Sequence, residues 1–98
     1  MEIQIQAVAF KADQKLIDFA TAKVQKLTQF SENIVIAEVF FRLDNTSANE
    51  NKIAELKLVI PGNDLFAKKQ CKTFEEAIDE SVDALKKQLE KIKGKQNK

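Results

Sequence analysis

Asp79 and Asp83 stand one helical turn apart in a run of five acids, Glu75, Glu76, Asp79, Glu80 and Asp83, that contains no base. Six lysines follow between Lys86 and Lys98, opposed by Glu90 alone. The two halves suggest different chemistry. Carboxylates one turn apart could hold a magnesium ion or act as the acid and base of a glycosidase, whereas lysines repeated along a helix are counterions for phosphate. Acidic runs of this length are usually a solvated face. The acids are therefore read as surface or helix-orienting groups, with no metal and no cofactor expected.

Absences narrow the chemistry further. The chain has no His, so Ser-His and Cys-His nucleophiles and imidazole metal ligation are unavailable. The single cysteine, Cys71, can make neither a thiolate zinc site nor an intrachain disulfide. Gly62 and Gly94 are too isolated for a phosphate-cradling loop. These features point to a binding protein that is not an enzyme and has no small-molecule substrate. The formal net charge of +1 conceals a separated acidic block and basic block.

The element carrying both blocks runs from Thr73 to Lys95. At about 100° per residue, Phe74, Ile78, Val82, Leu85, Leu89 and Ile92 fall within an arc of roughly 80°, the apolar seam of an amphipathic helix. Thr73 is placed to cap it, with Glu76 three residues on as in a capping box. Acids first and lysines last also suit the helix macrodipole, but that field acts within about one turn of each end. Lys86, Lys87, Lys91, Lys93 and Lys95 extend beyond its reach and call for an anionic partner.

An earlier helix, Asp13 to about Phe30, places Leu16, Ile17, Ala20, Val24 and Leu27 at helical spacing, with Asp13 as cap or first-turn acid. Lys11, Lys15, Lys23 and Lys26 lie within roughly 120° of one another beside that seam, with Phe19 inside the arc. Alone, this is an ordinary lysine flank. If the two helices lie side by side, their lysines form one stripe that can straddle the phosphates of folded RNA. Together the helices favour an RNA partner.

Four strands complete the chain. Glu2 to Ala7 alternates apolar and polar residues, and Ile34 to Leu43 is β-branched and aromatic, with Val35, Ala37, Val39, Phe41 and Leu43 on one face. Asp44 to Asn51 is expected to be the longest mobile loop. Lys52 to Ile60 alternates again, and Pro61 to Asp64 turns into an edge strand, Leu65 to Cys71, where Lys69 on the apolar side predicts a bulge or twist. The expected fold is α+β, in the order β-α-β-β-β-α: a four-stranded sheet with two helices packed on one face, similar in plan to double-stranded-RNA-binding domains. Residues 1–93 read as a single domain and 94–98 as a flexible basic tail. The seam residues Leu16, Val24, Leu27, Phe74, Ile78, Val82, Leu85 and Leu89 should bury together against Ile3, Ile5, Val39, Phe41, Leu56 and Leu58. No stretch has the length of a membrane span, and MEIQIQAVAF lacks a basic leader before an apolar run. A cytoplasmic protein with no membrane partner is expected, and a lone cysteine is compatible with that compartment.

The chain resembles the ribosome hibernation-promoting factors, also called ribosome-associated inhibitor or sigma-54 modulation proteins. The resemblance spans essentially the whole sequence. It rests on the element order, on ATAKVQKLTQF (Ala20 to Phe30), on AELKLVIPG (Ala54 to Gly62) and above all on EEAIDESVDALKKQLEKIKGK (Glu75 to Lys95). Glu75 departs from the pattern, since an aromatic commonly stands there. Lacking the linker and dimerisation domain of long members, the chain is similar to the short form. The resemblance makes residues 1–93 a ribosome-binding domain. It implies a bacterial stress or stationary-phase protein that binds the small ribosomal subunit over the decoding region, through ribosomal RNA. Such a protein would block messenger and transfer RNA and leave ribosomes inactive but protected. The resemblance also implies RNA contacts from Lys23 and Lys26 on the first helix and from Lys86, Lys87, Lys91, Lys93 and Lys95 on the second, with Lys15 a weaker member. The free protein is expected to be monomeric. Two other readings stay open: a protein-interaction adaptor using the acidic half of the last helix with Ile36 and Phe40, and a freestanding double-stranded-RNA binder.

Overall fold

The computed structural model describes residues 1–45 and 49–96, with side chains to residue 92. Its order is β1 (Glu2–Ala7), α1 (Gln14–Gln25), a 3-10 turn (Lys26–Gln29), β2 (Ile36–Leu43), β3 (Lys52–Ile60), β4 (Asn63–Cys71) and α2 (Phe74–Gln96). This is the β-α-β-β-β-α plan. The sheet runs β1-β2-β3-β4 in space, with β1 parallel to β2 and the remaining pairs antiparallel. A parallel pair needs a crossover, which α1 supplies, whereas the antiparallel strands join by short connections.

Alternation along the strands puts Ile3, Ala37, Leu58 and Leu65 in one row across the sheet and Ile5, Val39, Leu56 and Ala67 in the next. Both rows face the helices. Leu16, Ala20, Val24 and Leu27 from the first helical segment and Ala77, Ile78, Val82, Leu85 and Leu89 from α2 close over them in one core. Ile3, Ile5 and Phe74 pack against it half-buried. Such a core makes each fully enclosed leucine worth about 2–5 kcal/mol against Ala.

Local chemistry sets the helix ends. The Leu16 amide donates to Asp13 Oδ1 at 2.9 Å, and the Glu76 amide donates to Thr73 Oγ1 at 3.1 Å. Both are N-caps. The Thr73 hydroxyl donates in turn to Glu76 Oε1 at 3.3 Å. The helix expected to reach Phe30 tightens after Gln25 into the 3-10 turn, which the Phe30 amide closes on the Leu27 carbonyl at 3.0 Å. Between β1 and α1, Ala9 takes φ 65°, a left-handed conformation that costs a non-glycine residue about 1–2 kcal/mol. Just beyond this corner Phe10 stacks on Phe74 at 5.0 Å, and Phe74 meets the edge of Phe41 at 5.2 Å.

Three expectations are corrected. The expected inward face of β2 holds for Ala37, Val39 and Phe41, but the strand starts at Ile36 and the alternation fails at its ends: Ile34 is buried ahead of the strand, Val35 is 53% exposed and Leu43 is exposed. The turn after β3 is tighter than expected. Asn63 and Asp64 already pair with Ile60 and Val59, leaving Pro61 and Gly62 as the corner, and the φ of 81° at Gly62 suits the third position of a type II turn. β4 is an edge strand, but its register against β3 is unbroken from Asn63 to Cys71, with no bulge. Lys69 stands opposite Ala54 on the helix side and remains exposed, so its ammonium reaches water without a break in the ladder. Ile53, on the open face, is buried at 8% exposure between its ladder neighbours Arg42 and Gln70, whose long side chains flank it.

The loop expected to be mobile falls partly on 46–48, outside the described residues. Its ends are held by the Asp44 amide donating to the Asn51 carbonyl at 2.9 Å. The backbone of α2 continues helically to Gln96, past Gly94 where a tail was expected; 97–98 lie outside the described residues. Among the described residues, no helix is long and apolar enough to cross a membrane.

Candidate nucleic-acid interface

The two helices lie side by side and run in the same sense. Phe10, just before α1, stacks on Phe74 at the start of α2, and Phe30, just after the 3-10 turn, lies under Lys86 in the later part of α2. Two anchors fix α2 here. Its seam rests on β3 and β4, and the wholly buried Ser81 hydroxyl donates to the Ala54 carbonyl of β3 at 3.3 Å. The hydroxyl had to find a partner once it was enclosed.

Between the helices is a cleft of about 280 Å³. Leu27 and Val82 contribute its apolar surface, Lys23, Lys26 and Lys86 its cations, Asp79 and Asp83 its anions, and Gln29 and Phe30 one end. Lys23 is held twice: its Nζ is 3.1 Å from Asp79 Oδ1 and 5.5 Å from the centre of the Phe19 ring. Lys86 Nζ lies 5.1 Å from the centre of Phe30. Aromatic faces attract cations without neutralising them. Lys26 and Lys86 have no ion pair among the described residues.

The remaining expected lysines lie elsewhere. Lys87 is exposed and paired with Asp83 within α2 at 3.2 Å. Lys91 is exposed one turn further on. Lys15 is exposed near the start of α1, about 12 Å along the axis from Lys23 at 1.5 Å per residue, and does not line the cleft. Lys93 and Lys95 fall on the last turns of α2, and their side chains lie outside the described residues. Thus Lys23, Lys26 and Lys86 share one cleft, and Lys87 and Lys91 continue along the outer side of α2.

Sequence reasoning misses Phe30, Gln29 and the bridging role of Asp79. In the sequence Phe30 reads as the end of a helix, although an aromatic just beyond a lysine-rich segment is a natural seat for a neighbouring cation. Asp79 reads as one of several acids along its own helix. Its partner lies on another element, so periodicity within α2 carries no sign of it.

Among the described residues no cluster of His, Cys, Asp or Glu could hold a metal ion. Cys71 is buried, and its thiol approaches Glu80 Oε2 at 3.4 Å. Burial first, then the hydrogen bond and negative charge of Glu80, push the thiol pKa up to about 11. A protonated, enclosed thiol is a poor nucleophile.

The family model for sigma 54 modulation protein / S30EA ribosomal protein matches residues 3–97. The fold is that of the Protein Y N-terminal domain from Thermus thermophilus, which is 22% identical with a TM-score of 0.80 over 94% of this chain and 99% of that one. It is also similar in plan to a ribosomal subunit interface protein from Coxiella burnetii, 19% identical with a TM-score of 0.85 over 96% of this chain and 99% of that one. No curated protein sequence gives a significant match.

Proposed function

The chain belongs to the sigma 54 modulation protein / S30EA ribosomal protein family, and from that premise we propose that it binds the small ribosomal subunit at the decoding region and excludes messenger and transfer RNA. The bound ribosome is inactive and protected during stress or stationary phase. The protein acts in the cytoplasm as a monomer, without a catalytic step.

The observation that carries this reading is the convergence of Lys23, Lys26 and Lys86 on one interhelical cleft, with Lys87 and Lys91 alongside. Lysines carried side by side on the two packed helices face phosphates together, and their attraction is expressed as release of counterions from the RNA. Blocking then needs affinity and shape alone. Lys15, Lys93 and Lys95 belong to the same proposal as flanking contacts.

Cell-free translation tests it. Added before messenger, the protein should inhibit initiation on vacant ribosomes far more than elongation on ribosomes already loaded. Excess initiator transfer RNA with messenger should relieve the block, and inhibition should saturate near one protein per ribosome. Inhibition at far lower ratios would indicate turnover and contradict the proposal. Failure to co-sediment with ribosomal subunits at low salt would favour an adaptor that binds another protein.

A further inference from the structure

We propose that a hollow beside the interhelical cleft is a nucleobase site: it takes one unstacked base of a single-stranded RNA segment whose phosphates lie on Lys26 and Lys86. The inference deepens the nucleic-acid reading of that cleft and rests on it.

The hollow has a volume of about 560 Å³, within the range of roughly 300–1,000 Å³ over which proteins hold small ligands. It opens between the corner after β3 and the later part of α2. Phe30, Ile60, Pro61, Leu89 and Ile92 give it apolar surface, and Gln29, Ser31 and Asn33 give it polar groups. Gln29 and Phe30 also line the cleft that holds Lys23, Lys26 and Lys86, so the two depressions meet at these residues. Their charge differs. Lys26 and Lys86 in the cleft have no ion pair among the described residues, whereas Glu32 is the one charged residue among those described that line the hollow.

A nucleotide is divided in the same way. Its phosphate is an anion, its base is a flat uncharged ring with hydrogen-bonding edges, and single-stranded RNA can splay a base out of the stack onto an aromatic side chain. Glu32 repels a phosphate that Lys26 and Lys86 attract, which sets the direction: phosphate in the cleft, base in the hollow, and Phe30 at the junction. The Gln29 and Asn33 side chains are exposed, and among the described residues their carboxamides have no hydrogen-bond partner, whereas those of Gln14, Gln70 and Gln88 bond within the chain. A carboxamide offers donors and an acceptor together, as the edge of a base does. An apolar side chain from a protein would cover the same surface but leave the neighbouring cations without an anion.

The test is binding of a short single-stranded RNA and of an abasic strand of the same length, which keeps the phosphates and lacks the bases, to the wild type, Phe30→Leu, and Gln29→Ala with Asn33→Ala. The wild type should hold the base-bearing strand at least about fivefold more tightly, the lower end of what one base on one aromatic supplies. Phe30→Leu should remove most of that preference and leave the abasic strand unaffected. Because Phe30 packs against the core, the exposed amide pair gives a second reading that does not depend on the fold of the first variant. It should also lower the preference. Phe66→Leu, an equal loss of an aromatic on the open face, should change neither strand. Equal wild-type affinity for the two strands, or a preference that survives both Phe30→Leu and the amide variant, would overturn the proposal and leave the hollow to a protein side chain. Adenosine monophosphate should compete far more weakly than the strand, which engages several lysines at once; equal competition would assign the hollow to a free nucleotide and overturn it too. Failure of the wild type to bind small subunits would refute the proposed function instead, and the strand comparison would still decide the base site.

Discussion

The helix side and the open side of the sheet both carry lysines and aromatics, yet they handle charge differently. On the open face Arg42 pairs with Glu55 at 3.2 Å, Lys57 lies 3.8 Å from Asp64, and Lys68 stands opposite Glu55 in the ladder. Arg42 also lies 5.9 Å from the centre of Phe40. Cation and anion are matched there. In the interhelical cleft Lys23 is paired while Lys26 and Lys86 are not, among the described residues, and Lys91 adds a further cation along α2. Net charge averages these regions and hides the one that can attract phosphate.

The largest expected effect separates support from contact. Leu85→Ala removes a fully buried seam residue and should cost about 2–5 kcal/mol in denaturant unfolding. Phe66→Ala on the open face, where the ring is 53% exposed, should change stability by less than about 0.5 kcal/mol. Equal losses would mean that the open face is covered rather than free.

Charge reversal comes next. Lys26→Glu with Lys86→Glu should weaken small-subunit binding at least about tenfold, because phosphate repulsion replaces attraction at both positions. Lys57→Glu with Lys68→Glu, the matched change on the open face, should leave it within about twofold. A greater loss from the open-face pair would reverse the comparison.

The order of elements was legible because each strand and helix carries its own period. β1 and β3 have the expected bounds, and the seam from Phe74 to Leu89 packs where its spacing points. What escaped depended on partners distant in sequence. Ile34 is buried outside the pleat, Ile53 is covered by neighbours across the ladder, and Asp79 answers a lysine on another helix. The lysine types and their side of each helix were readable. That Lys23, Lys26 and Lys86 share a cleft, while Lys15 stands apart, follows from how α1 rests beside α2.

Smaller effects sharpen the account of the scaffold beneath the cleft. Ala9→Gly relieves a left-handed alanine, less the entropy glycine loses on folding, and should stabilise the chain by about 0.5–1 kcal/mol. A loss would mean that the alanine methyl packs more than its backbone strains. Cys71 adds a pH dependence. Its pKa is raised from 9.0 to about 11 by burial and then by Glu80, so the folded chain keeps the proton across that interval while the unfolded chain loses it. The stability tied to this group is intact below pH 9 and falls as pH rises toward 11. Compared with Cys71→Ala, the wild type should lose more stability over that range, as measured by denaturant midpoint; parallel loss in both would remove the thiol from the explanation.

The central claim is that the interhelical cleft supplies the electrostatic attraction to the ribosome. It is tested most directly by the salt dependence of binding to vacant small subunits. Lys26→Glu with Lys86→Glu should reduce the log-log slope by roughly 1.4–1.8, at about 0.7–0.9 for each phosphate that is no longer neutralised. The same reduction from Lys57→Glu with Lys68→Glu, or an unchanged slope in the cleft variant, would contradict it.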